Sequence, residues 1–281
     1  MNSAHLHDPM RDAVVAEGIG WLLPVVLTVV LIGGYLGMVA RRRRAMGRRW
    51  SGWRTGAWVA GVVLLASGVS PLMTDLVHTD ARGHMVQHLL LGMYAPLGLV
   101  LAAPVTLLLG ASSTKNRRRI ATVLDSFPVR VTSHPMVAGV IDMGGLYVLY
   151  LTGLYAASMH SALLHWVINI HFVLAGTLFT WAIVGPDPAP HRPSPRARLV
   201  ALVLTAASHA YLAKMLYARA SALPPGSGHA AAEMEQAAQV MYYGGDLAEI
   251  ALAVTFFATW YHARSRHSRV ANAHDAVAAP A

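Results

Sequence analysis

Apolar residues gather into seven stretches along the chain, at about 19–40, 55–72, 84–110, 136–157, 162–184, 197–218 and 238–262. Each is near the ~20 residues that an α-helix needs to cross a hydrocarbon core. Polar positions collect between them, mostly in short connections. Pro96 and Pro104 interrupt the third stretch. A membrane bundle tolerates such prolines as kinks where neighbours satisfy the freed carbonyls, so this stretch reads as a kinked span or as a span followed by a short interfacial segment. The pattern predicts an all-α integral membrane bundle of about seven transmembrane helices.

The basic residues give the bundle a direction. Seven lie between the first and second stretches (Arg41, Arg42, Arg43, Arg44, Arg48, Arg49, Arg54) and five after the third (Lys115, Arg117, Arg118, Arg119, Arg130). Three more follow the fifth stretch (Arg192, Arg196, Arg198) and three the seventh (Arg264, Arg266, Arg269). Every second connection is therefore basic. Lys and Arg concentrate on the cytoplasmic side, so the N-terminus is expected outside and the C-terminus in the cytoplasm. Residues 1–18 read as an extracytoplasmic tail, 19–262 as the transmembrane domain, and 263–281 as a cytoplasmic, disordered tail. The first basic run follows the first apolar stretch, whereas a signal peptide carries its charge ahead of the apolar core, so that stretch reads as an uncleaved anchor.

Composition agrees: 55% of the 281 residues are hydrophobic and 12% are charged, against about 25% charged in soluble domains. The net charge of +9 sits in blocks beside apolar runs, which suits membrane lipid and not nucleic acid. There is no cysteine, which excludes disulfides, thiolate metal sites and Cys nucleophiles. Any metal chemistry falls to the 15 His, the 13 Met and the acidic residues.

Ionisable groups within spans are costly and mark candidate sites. His84 and His88, four apart at the outer end of the third stretch, stack on one helix face. Met85 follows the first of them, where a zinc protease needs Glu. The fifth stretch carries His165 and His171, with Met159 and His160 in its outer connection. The sixth carries His209 and Lys214. The seventh carries Asp246 and Glu249, three apart on one face, with Tyr242 one turn above. At ~1.5 Å of rise per residue, His84 and His165 lie near the outer interface, and His88, His171, His209 and Asp246 roughly 7–13 Å below it, with Glu249 deeper. Several helices thus contribute to one outer layer. Imidazoles with a carboxylate suit zinc or copper, and Met85 or Met93 would add a soft ligand for cuprous ion. The same layer also reads as a hydrogen-bond network joining helices. Asp142, toward the cytoplasmic end of the fourth stretch, reads as structural, with Arg130 as a candidate partner. His134, His191, His262 and His267 fall among arginines as interfacial residues. His5 and His7 form a His-x-His pair in the N-terminal tail.

These residues carry a resemblance. His84-Met85-Val86-Gln87-His88-Leu89-Leu90-Leu91, with Ala95-Pro96 and Ala103-Pro104 downstream, resembles the multi-span CtaG family of cytochrome c oxidase assembly factors. So do His165 with Phe179-Thr180-Trp181 before Pro186, and Gln239-Val240-Met241-Tyr242-Tyr243-Gly244-Gly245-Asp246. Ser208-His209-Ala210-Tyr211-Leu212-Ala213-Lys214 is similar to one branch of the family. The resemblance runs from about residue 20 to 262. It implies a seven-span protein of the bacterial plasma membrane that is not an enzyme. Its partners would be cytochrome c oxidase subunits, and its task the supply of copper to them. By position it brings His84, His88, His165 and Asp246 into the family's segments; His171, His209 and Glu249 rest on depth. A single-span copper protein shares the family's name but depends on cysteine, so this chain is not that protein.

Two other functions use the same residue types. A seven-span zinc hydrolase needs three His and an Asp around an activated water. A b-type haem protein needs two axial His from different helices, such as His88 and His209. A secondary transporter would suit the broken third stretch and Lys214, but no inverted repeat is visible.

Overall fold

The structure is a computed structural model and describes residues 9–47, 49–189 and 192–278. His5, His7, Arg48 and His191 lie outside the described residues. Among these residues every regular element is helical. α1 (Pro9–Met46), α2 (Gly52–Gly68) and α3 (Pro71–Thr79) lead to α4 (Ala81–Leu89), a π-helical turn (Leu90–Tyr94), α5 (Ala95–Leu101) and α6 (Pro104–Ala111). Two short helices follow, α7 (Thr114–Leu124) and α8 (Phe127–Thr132), then α9 (Pro135–Leu151), α10 (Leu154–Met159), α11 (Ala162–Val184), α12 (Pro195–Ala218) and α13 (Ala231–Ala278).

Five segments are long and apolar enough to cross a membrane: Gly20–Met46, Ala81–Ala111, Ala162–Val184, Pro195–Ala218 and Ala231–His262. A sixth is counted if α2 and α3, bent by 49°, form one span. α9 is an apolar helix of 17 residues, short of that length. Each of the seven apolar stretches is thus helical, but the second and third are broken and the fourth is short.

The breaks have local causes. Ser70 caps α3 by accepting from Met73 N at 3.3 Å, with Pro71 in its first turn, so the second apolar stretch turns into a new helix instead of ending at 72. Pro96 has no N–H for the Gly92 carbonyl four residues back, and the π-helical turn absorbs the mismatch. Ala103 takes a left-handed φ of 53° before Pro104 opens α6. The basic connection after α6 is not irregular but folds as α7 and α8. At the chain ends, α1 begins inside the expected N-terminal tail, and the backbone of α13 stays helical to Ala278, beyond the expected boundary at 262.

Close helix approaches use glycine. A Cβ at Gly98 would lie 2.8 Å from Gly61 Cα on α2, and one at Gly176 on α11 would overlap the Gly92 carbonyl oxygen. Small residues at crossings let backbones meet where water supplies no driving force. Larger side chains fill the remainder. Tyr150, Tyr155, Met85, Leu146 and Leu216 pack one half of the bundle, and Phe179, Ile183, Leu202 and Phe256 the other. α1 is held by Tyr35, which donates to Ala102 O at 2.9 Å and accepts from Trp50 Nε1 at 2.8 Å. The outward face of α1, including Val25, Val26, Val29 and Val30, stays exposed, as a lipid-facing helix requires.

At the basic end, Asp187 is buried and caps α6 from a distance. Its carboxylate accepts from Val105 N at 3.2 Å and from Thr106 N and Oγ1, both at 2.6 Å. Arg192 holds the turn by donating to the carbonyls of Gly185 and Asp187. Asp187→Ala leaves these donors unpaired, and the expected cost is about 2–4 kcal/mol. Thermal unfolding of the detergent-solubilised protein checks this; an unchanged Tm would show that the cap carries no stability.

Candidate functional site

Three histidines from two helices form the centre of the bundle's other half. His84 and His88 project inward from α4, and His209 projects from α12; their exposures are 1%, 3% and 1%. His84 meets the edges of Tyr155 and Tyr150, with centroids at 4.8 and 6.0 Å. His88 packs on Phe172 at 4.8 Å and faces His209 with ring centroids 6.0 Å apart and planes tilted by 34°. Glycines make room for these rings. A Cβ at Gly245 would overlap His209 Cε1, and one at Gly92 would sit 3.4 Å from His88 Nδ1.

None of the six ring nitrogens of His84, His88 and His209 has a hydrogen-bond partner among the described residues. The nearest charge is Glu249, whose Oε1 lies 3.4 Å from His209 Nδ1. Glu249 also lines a cavity of about 30 Å³ with Asp142, Thr180, Thr205 and Met93, a volume sufficient for a water molecule. Asp142 therefore faces the bundle interior beside Glu249. Arg130, its expected partner, lines a separate groove with Trp181 and Arg192.

The seven expected ligands do not form one layer. His88, His209 and Glu249 are contiguous, with His84 one turn nearer the N-terminus of α4. His171 turns to α9, where its Nε2 fills the space left by Gly145; its ring contact is with Phe172. His165 pairs with His78 at 6.2 Å in a pocket of its own. Asp246 is half-buried and makes no hydrogen bond or ion pair with the described residues. The sulfur of Met85 accepts from Tyr150 OH at 3.3 Å, and Lys214 stands over the Tyr242 ring at 5.1 Å. Position along a helix was legible from residue counting. Azimuth was not, and it separates these groups.

Sequence reasoning missed a chain of polar contacts beside His84. Tyr155 OH lies 3.1 Å from His229 Nε2, His229 Nδ1 lies 3.0 Å from Glu233 Oε1, and Glu233 accepts from Ala81 N at 2.7 Å. The spacing of His229 and Glu233 was visible, but the loop contact with Tyr155 was not. Beside it, Asp80 caps α4, and the Arg82 guanidinium holds its carboxyl below the usual range.

The donor geometry bears on what the site can hold. Among the described residues no group of three or more His, Asp or Glu is close enough to hold a metal ion, so the three-His and Asp set of a zinc hydrolase is not assembled. The His88–His209 distance suits axial ligands, but Phe172 and Gly245 pack against the rings and leave no space for a porphyrin. A two-coordinate ion does fit that distance. Metal–nitrogen bonds of about 2 Å on each side, with the two ring radii, bring imidazole centroids to about 6 Å.

Comparisons with known proteins give three relatives and one family. An uncharacterised protein of Mycobacterium leprae is 32% identical over 204 residues, which cover 70% of this chain and 31% of the relative. Uncharacterised proteins of Mycobacterium bovis and Mycobacterium tuberculosis are each 32% identical over 194 residues, covering 65% of this chain and 28% of theirs. The chain therefore spans less than a third of the length of these relatives. No solved structure matches. Residues 33–263 match the family described as cytochrome c oxidase caa3 assembly factor, Caa3_CtaG. That match takes in α2 to α12, most of α13 and every residue of the histidine site, and the chain belongs to this family.

Proposed function

We propose that this protein spans the bacterial plasma membrane seven times, N-terminus outside, and assists assembly of a haem–copper oxidase by handling copper at the buried His88–His209 pair. Copper here is cargo, not a resident cofactor. The seven-span reading counts α2 with α3 as one span and α9 with α10 as another, and it puts every basic connection on the cytoplasmic side. The observation that carries the copper reading is the pair itself: two facing imidazoles, 6.0 Å apart, whose four nitrogens have no hydrogen-bond partner among the described residues, with Glu249 Oε1 at 3.4 Å from His209 Nδ1.

The chemistry follows from the ligand set. Imidazole is a borderline ligand, and a cuprous ion accepts fewer ligands than zinc does. Glu249, at 3.4 Å from His209 Nδ1, is placed to offset the ion's charge. His84, one turn nearer the outer end, is the next imidazole along the same helix face.

The test is the copper content of the detergent-purified protein after loading with cuprous ion, wild type beside His88→Ala. The expected result is one copper fewer per chain in the variant. Equal copper in both proteins would remove the pair from the argument.

A further inference from the structure

A second group of metal-capable side chains lies outside the His88–His209 pair. α3, α10 and the start of α11 enclose a pocket of about 280 Å³. His78, Met159, His160 and His165 line it, with Gln87 and Asn169 on its inner wall. His78 and His160 are exposed, whereas Gln87 and Asn169 are 2% and 4% exposed. The pocket therefore runs from the surface to the packed interior. Gln87 Nε2 donates to Gly68 O at 2.8 Å, but Gln87 Oε1 and Asn169 Oδ1 have no partner. Buried amide oxygens are ordinarily paired, so this wall carries two acceptors that lack a protein partner.

The lining also says which guest. It holds imidazoles, a thioether, hydroxyls and amides, and no Asp, Glu, Lys or Arg. A neutral wall offers no charge to offset a divalent ion near the membrane, which disfavours zinc relative to a monovalent ion. Thioether and imidazole together select a soft cation. The His78 and His165 rings are 6.2 Å apart with planes tilted by 30°, a separation that admits one ion between them.

We infer that this pocket is a capture site for cuprous ion, with His78 and His165 as the paired ligands and Met159 as the thioether donor. It rests on the copper-handling reading for its purpose. Gln87 stands between His84 and His88 on α4, so the pocket's inner wall belongs to the same helix as two of the buried histidines.

The experiment uses the full chain in lipid nanodiscs, titrated with Cu(I) without oxygen against a coloured cuprous chelator. Wild type is compared with Met159→Leu, with His78→Ala combined with Met159→Leu, and with His88→Ala. Wild type should hold two copper ions, the double variant one, and His88→Ala a different one. X-ray absorption of the wild type should show a copper–sulfur path that disappears in Met159→Leu, a change that keeps side-chain volume and so the fold. Two coppers retained by the double variant, or a sulfur path unchanged in Met159→Leu, would overturn the capture site and leave the buried pair standing. Full copper in His88→Ala with one lost in the double variant would sink the buried pair and leave the capture site. Wild type that binds no Cu(I) overturns both, and zinc bound as tightly as Cu(I) at the pocket overturns the assignment to a soft monovalent ion.

Discussion

Alanine at both His84 and His88, or at His209, is expected to abolish the appearance of active oxidase while the membrane protein itself accumulates. The reason lies in what these rings do not do. A histidine that joins helices does so through its polar contacts, yet five of the six nitrogens have none among the described residues, and the sixth, His209 Nδ1, has Glu249 Oε1 at 3.4 Å without a hydrogen bond. Replacing His88 removes its packing against Phe172 and leaves a cavity, at a cost of about 2–4 kcal/mol, but breaks no protein hydrogen bond. A host lacking its own copy, complemented with each variant, gives the measurement. Oxidase activity is read beside the amount of the protein in the membrane. Gly245→Ala gives a milder form of the same test. It keeps every candidate ligand and forces the His209 ring aside, because the new Cβ overlaps His209 Cε1. Activity should fall in Gly245→Ala as well, with His209 still present. Loss of the protein together with the activity would instead assign the histidines to holding the bundle together. Full activity in the His88 and His209 variants would end the copper reading at this site.

The helices were legible because a span must be apolar over its whole length, a constraint that any single sequence displays. The breaks were less so. Pro96 and Pro104 announced themselves, but Ser70-Pro71 did not, since the stretch around it stays apolar enough to read as one span. Asp187 sits between Pro186 and Pro188; its role as a cap depends on α6, 81 residues earlier in the chain, and no local pattern encodes that. The site shows the same division. The four-residue spacing of His84 and His88 survives into the structure because it is local. The inclusion of His171 came from depth, and the structure turns its ring toward Gly145 on α9 instead. His78, His229 and Glu233 went unassigned because their partners, His165, Tyr155 and Ala81, lie on other elements. Nothing local marks Gly245 and Gly145, yet they set where two histidine rings can stand.

The second large effect concerns one of those glycines. Gly176→Ala should destabilise the bundle by about 3 kcal/mol or more and lower the amount of protein in the membrane. A Cβ there overlaps the Gly92 carbonyl oxygen and lies 2.7 Å from the Gly92 carbonyl carbon. Both are backbone atoms of the π-helical turn, so no rotamer change relieves the clash, and α11 must move away from α4 and α5. Phe172 is one turn before Gly176 on α11, and His88 is four residues before Gly92. The movement therefore pulls Phe172 from the His88 ring, which it meets at 4.8 Å. Gly144→Ala on α9 is the matched control. Nothing lies within 4 Å of a Cβ at that position, and alanine improves helix propensity by about 0.5–1 kcal/mol, so that variant should melt no lower than wild type. Melting temperatures in detergent separate the two cases. A Gly176→Ala protein that melts with the wild type would mean that α11 and the π-helical turn are not pressed together, and the placement of His88 against Phe172 would lose its structural cause.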